Sequence, residues 1–153
     1  MKRGSKVEDR TVVVCPSCNR KNGVPAAAKG VARCGHCHAP LPWIAEADDS
    51  TYQAVVEEAS LPVLVDLWAP WCGPCRLVSP ALESLAREFA GRIKLVKVNV
   101  DESPATSHRF GVQGIPTFLL ADRGRVVDRQ TGAAPLPALR GWLEEALAEN
   151  AEV

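Results

Sequence analysis

Aromatic side chains are scarce in this 153-residue chain, and none precedes Trp43. Bases stacked on aromatic rings therefore have no platform in the first 42 residues, although this part is basic. Up to Ile44 eight Lys and Arg residues face only Glu8 and Asp9, a balance of +6, and the remainder carries −6. The basic charges are scattered rather than clustered, so they read as a solvated surface and nucleic acid is not an expected partner. The formal net charge is zero, which favours no class of partner. Long apolar runs are missing too. Lys2 and Arg3 are not followed by an apolar stretch of signal-peptide length, Thr11–Val14 is far too short, and no later segment could span a bilayer. The expectation is a cytoplasmic protein with no membrane partner. Cysteine, by contrast, is plentiful. Six cysteines where disulfides stay reduced argue for metal binding and catalysis rather than for a disulfide framework.

The chain divides by character. Residues 1–14 are charged and aperiodic, an expected mobile tail with a short strand at Val12–Val14. Residues 15–45 hold four cysteines and little apolar bulk, too little to fold unaided. Residues 46–50 are polar and acidic, the expected linker. Residues 51–153 form the main domain, in which helical and strand patterns alternate. Ser50 and Gln53 fit the N-cap and third position of a capping box, predicting a helix to about Ser60 that buries Val55, Val56 and Ala59. The near-continuous apolar run Pro62–Ala69 predicts a central strand covered on both faces. Arg76 to Ala90 carries Leu77, Leu82, Leu85 and Phe89 at helical spacing, with Pro80 predicting a kink. Ile93–Val100 reads as a second strand, and Ser103-Pro104 as the start of a short helix ending at Phe110-Gly111. Thr117–Ala121 and Arg125–Gln130 flank Asp122-Arg123-Gly124 as a hairpin. Leu139, Trp142, Leu143 and Leu147 mark the apolar face of a last helix. The expected class is α/β: a central mixed sheet with helices on both faces, preceded by a small cysteine-rich module.

Cys15-x-x-Cys18 and Cys34-x-x-Cys37 are fifteen residues apart, the spacing at which two tight turns face one Zn²⁺ ion. Pro16 and Gly35 suit such turns. Four thiolates leave no open position, so one structural Zn²⁺ is expected. The competing readings are two disulfides, or four unrelated thiols. His36 and His38 are possible substitute ligands, but the paired cysteine spacing favours full thiolate ligation.

Trp71-Cys72-Gly73-Pro74-Cys75 lies between a strand pattern and a helix pattern. A sulfur at a helix start meets unpaired N–H groups and the positive end of the helix dipole, which favour the thiolate that attacks disulfides. Asp66 is the odd residue in an apolar strand; burial there is expensive and should raise its pKa.

Three segments together, Val65–Cys75, Lys97-Val98-Asn99-Val100-Asp101 and Gly111–Thr117, resemble the thioredoxin family over roughly Ser50 to the C-terminus. With the Cys₄ segment in front, the chain resembles the subfamily that carries an N-terminal zinc ribbon. The resemblance implies a thioredoxin fold and a protein-disulfide reductase. It makes Cys72 an exposed nucleophile and Cys75 the buried resolving thiol, with Asp66 handling the proton of Cys75 and Lys97 pairing with that acid. It also implies a cis-proline at Pro116 facing the disulfide. Substrate contacts would come from Trp71, Gly73, Pro74, Gly114, Ile115 and Gly132, with Ala133 keeping the groove open. Trp68 and Trp142 are read as packing, and Lys94 as an exposed lysine. The implied partners are disulfide-containing client proteins and a thioredoxin reductase drawing on NADPH, with the chain a monomer. The alternative function is a redox sensor or a holdase-type binding module that uses zinc release from the ribbon.

Overall fold

A computed structural model describes residues 10–151. The expected tail therefore lies outside the described residues from 1 to 9, while Arg10–Val14 forms strand β1, antiparallel to β2 (Lys21–Pro25). Each cysteine pair closes the same kind of turn. The N–H of Asn19 donates to the Cys15 carbonyl and that of His38 to the Cys34 carbonyl, both at 2.9 Å. Asn19 (φ 65°) and His38 (φ 67°) hold the left-handed position in each turn, a conformation that Asn tolerates better than most residues.

The main sheet contains β3 (Ile44–Ala47), β4 (Val63–Trp68), β5 (Lys94–Asn99), β6 (Thr117–Asp122) and β7 (Arg125–Thr131), in the order β3-β5-β4-β6-β7. The first three are mutually parallel, and β6 and β7 run antiparallel. Helices α1 (Gly73–Glu88) and α3 (Leu136–Ala151) cover one face with Leu82, Leu85, Leu139 and Leu143 against Leu64, Leu95, Phe118 and Leu120. The other face buries Val63, Val65, Leu67, Val96 and Val98 against Val55, Val56 and Tyr52. Alternate residues of β4 thus enter different cores, which is why its sequence, Asp66 apart, is apolar. Short helix α2 (Pro104–Arg109) starts at Ser103-Pro104 and ends at Phe110 as read from the sequence. The β6–β7 hairpin turns through Arg123 (φ 53°) and Gly124 (φ 85°), the two left-handed residues of a tight hairpin turn.

Four expectations are corrected. The first helix is a π-helical turn, Gln53–Glu57, rather than a helix to Ser60. Its entry is organised by Asp48, not Ser50: Asp48 N–H donates to Thr51 Oγ1 (2.9 Å), while Ser50 N–H donates to Asp48 Oδ1 (3.0 Å). Residues 44–47, assigned partly to the cysteine-rich module and partly to a linker, are edge strand β3 in register with Leu95–Val98. Leu77 is not on the core face of α1; it is 83% exposed, because Cys75, Val78, Leu82, Leu85 and Ala86 already define the buried side of the helix.

The cysteine-rich module packs against the N-terminal ends of β4 and β5. The N–H of Leu95 donates to the Trp43 carbonyl (2.9 Å). Lys29 Nζ donates to the Glu58 carbonyl (2.7 Å), and the N–H of Gly30 to Ser60 Oγ (2.9 Å). Gly91 (φ 85°) passes so close to Pro40 that a Cβ would come within 3.0 Å of it; both its conformation and its surroundings require glycine.

Candidate redox site and metal-holding cluster

β4 delivers the chain to the opposite end of the sheet, where Cys72 caps α1. Its φ and ψ are −84° and 109°, and its Sγ accepts the N–H of Cys75 at 3.2 Å. Gly73 and Pro74 fill the first helical positions, where the missing N–H of proline costs no helical hydrogen bond. Cys72 and Cys75 are joined by a disulfide. The sequence reading put Cys72 in the open; here it is 4% exposed, because Trp68, Val100 and Ile115 pack around the pair. Its Sγ lies 3.8 Å from the carbonyl oxygen of Ile115, just before the cis Ile115–Pro116 bond. The carbonyl of Pro116 accepts the N–H of Gly132 (2.8 Å), and Gly114 lies against the methyl of Thr131. Gly132 has φ 98°, so its glycine is a backbone requirement rather than a space requirement. Trp71 is 68% exposed and anchored by its indole N–H to Asp101 Oδ2 at 2.8 Å. The partnership of Asp101 with Trp71 is not visible in the sequence and emerges only from the fold.

Asp66 is 2% exposed, on the sheet face that α1 covers. Burial pushes its carboxyl up to about 7, and the charge of Lys97 pulls the other way. Lys97 is its register partner on β5. Among the described residues no ion pair joins the two; Lys97 Nζ instead reaches Ser79 Oγ (3.3 Å) and lies 5.0 Å from the centre of the Trp68 ring. Ser79 sits one turn along α1 from Cys75 and was not read from the sequence. Asp66 Oδ1 is buried with no hydrogen-bond partner. A carboxyl that is half ionised near neutrality and has an unpaired oxygen can exchange a proton with a nearby thiol.

Lys94, expected on the surface, is fully buried. Its Nζ donates to the Val55 carbonyl (2.6 Å) and lies 4.6 Å from the centre of the Trp43 ring. Burial lowers its pKa to about 8. The ring that covers it belongs to the segment leading into the sheet, a neighbour that strand periodicity cannot reveal.

At that same end, the Sγ atoms of Cys15, Cys18, Cys34 and Cys37 all lie within 4.8 Å of one another and could hold a metal ion. Cys15 and Cys37 sulfurs are 3.6 Å apart, Cys18 and Cys34 3.5 Å. Tetrahedral thiolates about 2.3 Å from a zinc ion would stand about 3.8 Å apart, so the donor set fits. None of the four is disulfide-bonded. The N–H groups of Cys37 and His36 hold the Cys34 thiol down at about 5. Cys18 goes the other way, to about 12: the Arg20 N–H lowers it, but burial and three neighbouring sulfurs outweigh that. Four sulfurs this close would need a cation between them to be ionised together. His36 and His38 are exposed and outside the cluster. Asn22 ties the two turns together, accepting the Gly35 N–H (2.9 Å) and donating to the Arg20 carbonyl (3.1 Å).

Strand, capped helix, buried acid and adjoining cis-proline loop define a thiol–disulfide oxidoreductase. The thioredoxin family model matches residues 43–145, and the chain belongs to that family. It is 47% identical over 98 residues to a thioredoxin of Haemophilus influenzae, covering 64% of this chain and 92% of the relative. It is 45% identical over 103 residues to thioredoxin 1 of a Nostoc species, covering 67% of this chain and 96% of the relative. A chloroplastic thioredoxin M4 of Arabidopsis thaliana is 45% identical over 101 residues, which are 66% of this chain and 52% of the relative. Among the described residues no helix is long and apolar enough to cross a membrane.

Proposed function

We propose that the chain reduces protein disulfides by cycling the Cys72/Cys75 pair. The observation that carries this reading is the Cys72–Cys75 disulfide at the start of α1, facing the Ile115 carbonyl, with an unpaired Asp66 carboxyl behind it. In the dithiol form, Cys72 as thiolate attacks one sulfur of a client disulfide; a mixed disulfide forms and the first client thiolate leaves. Asp66 takes the proton of Cys75, which attacks Cys72 Sγ and expels the second client thiolate. Two electrons pass to the client and the Cys72–Cys75 bond re-forms. Lys97 favours the ionised form of Asp66 and so sets when the acid accepts a proton. Trp71, Gly73, Pro74, Gly114, Ile115, Pro116 and Gly132 provide the client surface, the backbone beside the cis bond pairing with an extended segment.

A thioredoxin reductase using NADPH restores the dithiol in this scheme, and the chain works as a cytoplasmic monomer. Cys15, Cys18, Cys34 and Cys37 hold one structural Zn²⁺, which supplies the cross-link that a module this small needs in order to fold. On this reading the chain is a thioredoxin of the thioredoxin 2 subfamily, an assignment supported by the four-sulfur cluster. The ribbon runs to about Pro42 and the thioredoxin domain begins at Trp43, a division supported by the packing of β3 in the main sheet. The sensor or holdase alternative gains nothing from the family match.

Insulin reduction coupled to NADPH oxidation through a thioredoxin reductase tests the proposal. Wild-type protein should turn over, Cys72→Ser should be inactive, and Cys75→Ser should accumulate a mixed disulfide visible by mass spectrometry. Full turnover by Cys72→Ser would sink the assignment.

A further inference from the structure

Leu77 is unexplained by the core. Five large apolar side chains are exposed among the described residues, and two of them, Trp71 and Leu77, flank the Cys72–Cys75 turn. On an α-helix, residues three and four apart share a face. Leu77 therefore stands one turn, about 5–6 Å, beyond Gly73 and Pro74 on the outward side of α1. Pro80, three residues further, is exposed as well, while Arg76 and Glu83 give the row a charged border. Leaving a leucine this open forgoes the hydrophobic gain of burying it. That gain becomes available only when something covers the helix face. The row is continuous with the Trp71–Pro74 surface, so a protein segment that covers the disulfide and one turn of α1 reaches Leu77 in the same encounter.

We propose that Leu77 is a specificity-determining contact that receives an apolar side chain of a client protein, on the α1 side of the client's disulfide. The proposal rests on the reductase reading given above. A contact of this kind acts on clients large enough to span one helical turn. A small disulfide that touches only the cysteines would not use it. Leu77 lies on the solvent side of α1, so changing it leaves Asp66 and the buried face of the helix untouched.

The experiment compares insulin with a small aromatic disulfide, 5,5′-dithiobis(2-nitrobenzoate), as substrates for wild type, Leu77→Ala and Leu77→Glu. For Leu77→Glu the KM for insulin should rise about five- to tenfold with kcat little changed, as when one well-placed apolar contact is lost. Leu77→Ala should fall in between, and the small disulfide should react within about twofold of wild type for both variants. An unchanged KM for insulin overturns the proposal, as does an equal loss with both substrates. Sedimentation of wild type and Leu77→Glu forms a separate arm: a wild-type dimer that Leu77→Glu dissolves would make the occupant a second copy and also overturn the proposal. Failure of wild type to reduce insulin at all would instead refute the reductase reading, so the two failures are distinguishable.

Discussion

Asp66 and Lys94 are both buried ionisable residues of the same sheet, on neighbouring parallel strands, Lys94 at the ribbon end and Asp66 three register pairs further towards the disulfide. Their surroundings differ. Lys94 has a carbonyl for its ammonium and an indole face over it. Asp66 keeps an oxygen with no partner, at the end where the disulfide lies. A buried charge that is satisfied fixes a structure, whereas one left short of partners is held ready to change its protonation state. The same sheet thus separates a fixed end, bearing the sulfur cluster, from a reactive end.

The largest expected effect breaks the fixed end alone. Stripping metal with a chelator under reducing conditions, or making Cys34→Ser, should unfold the ribbon, since zinc contributes on the order of 10 kcal/mol to modules of this size. Amide exchange should show protection lost over residues 10–42, while insulin reduction stays within about twofold of wild type. Redox turnover that collapses together with the ribbon would show the two ends to be coupled.

Asp66→Asn tests the reactive end. The folded-state pKa of Asp66 is raised to about 7, so the native state binds the proton more tightly than the unfolded chain does. Its contribution to stability is therefore present below pH 4 and is lost as pH rises towards 7, with a full cost on the order of 4 kcal/mol. Urea unfolding should find Asp66→Asn more stable than wild type at pH 8 by an amount of that order, with the gap closing near pH 4. The variant should also resolve the mixed disulfide more slowly and lose the rise in rate with pH through 7.

Lys94→Met gives the smallest effect, and of opposite pH sense. The folded pKa of Lys94 is lowered to about 8, so wild-type stability should rise as pH increases from 8 towards the unfolded value of about 10.4. Methionine at this site should be within about 1 kcal/mol of wild type at pH 7 and should abolish that alkaline rise. A loss of several kcal/mol at pH 7 would mean that the ammonium over Trp43 contributes far more than its burial costs.

Which sulfurs meet, and the succession of elements after β3 along the main domain, were legible because local patterns carry them. Cys-x-x-Cys spacing fixes which sulfurs can meet, and Val63–Trp68 announces a strand covered on both sides. What escaped reading depends on partners distant in sequence. Ile44–Ala47 has little strand character of its own and becomes a strand by pairing with Leu95–Val98. Lys94 looks like a surface lysine until Trp43, fifty-one residues earlier, covers it. Leu77 fitted an apolar helical stripe by residue type, but the core face of α1 was already occupied. The cysteine turns were anticipated, although the residues in the left-handed positions were Asn19 and His38 rather than a glycine.

β3 has a further consequence, for solubility. Without it, β5 would present an unpaired strand edge built from Leu95, Val96 and Val98, the kind of edge that recruits a strand from another molecule. β3 closes that edge with four residues and sets the charged side chain of Glu46 on the new outer one. A chain trimmed to begin at residue 51 would keep every group of the redox site and still be prone to self-association. The first strand of the main domain is a guard strand, and its removal should show first as turbidity rather than as lost activity.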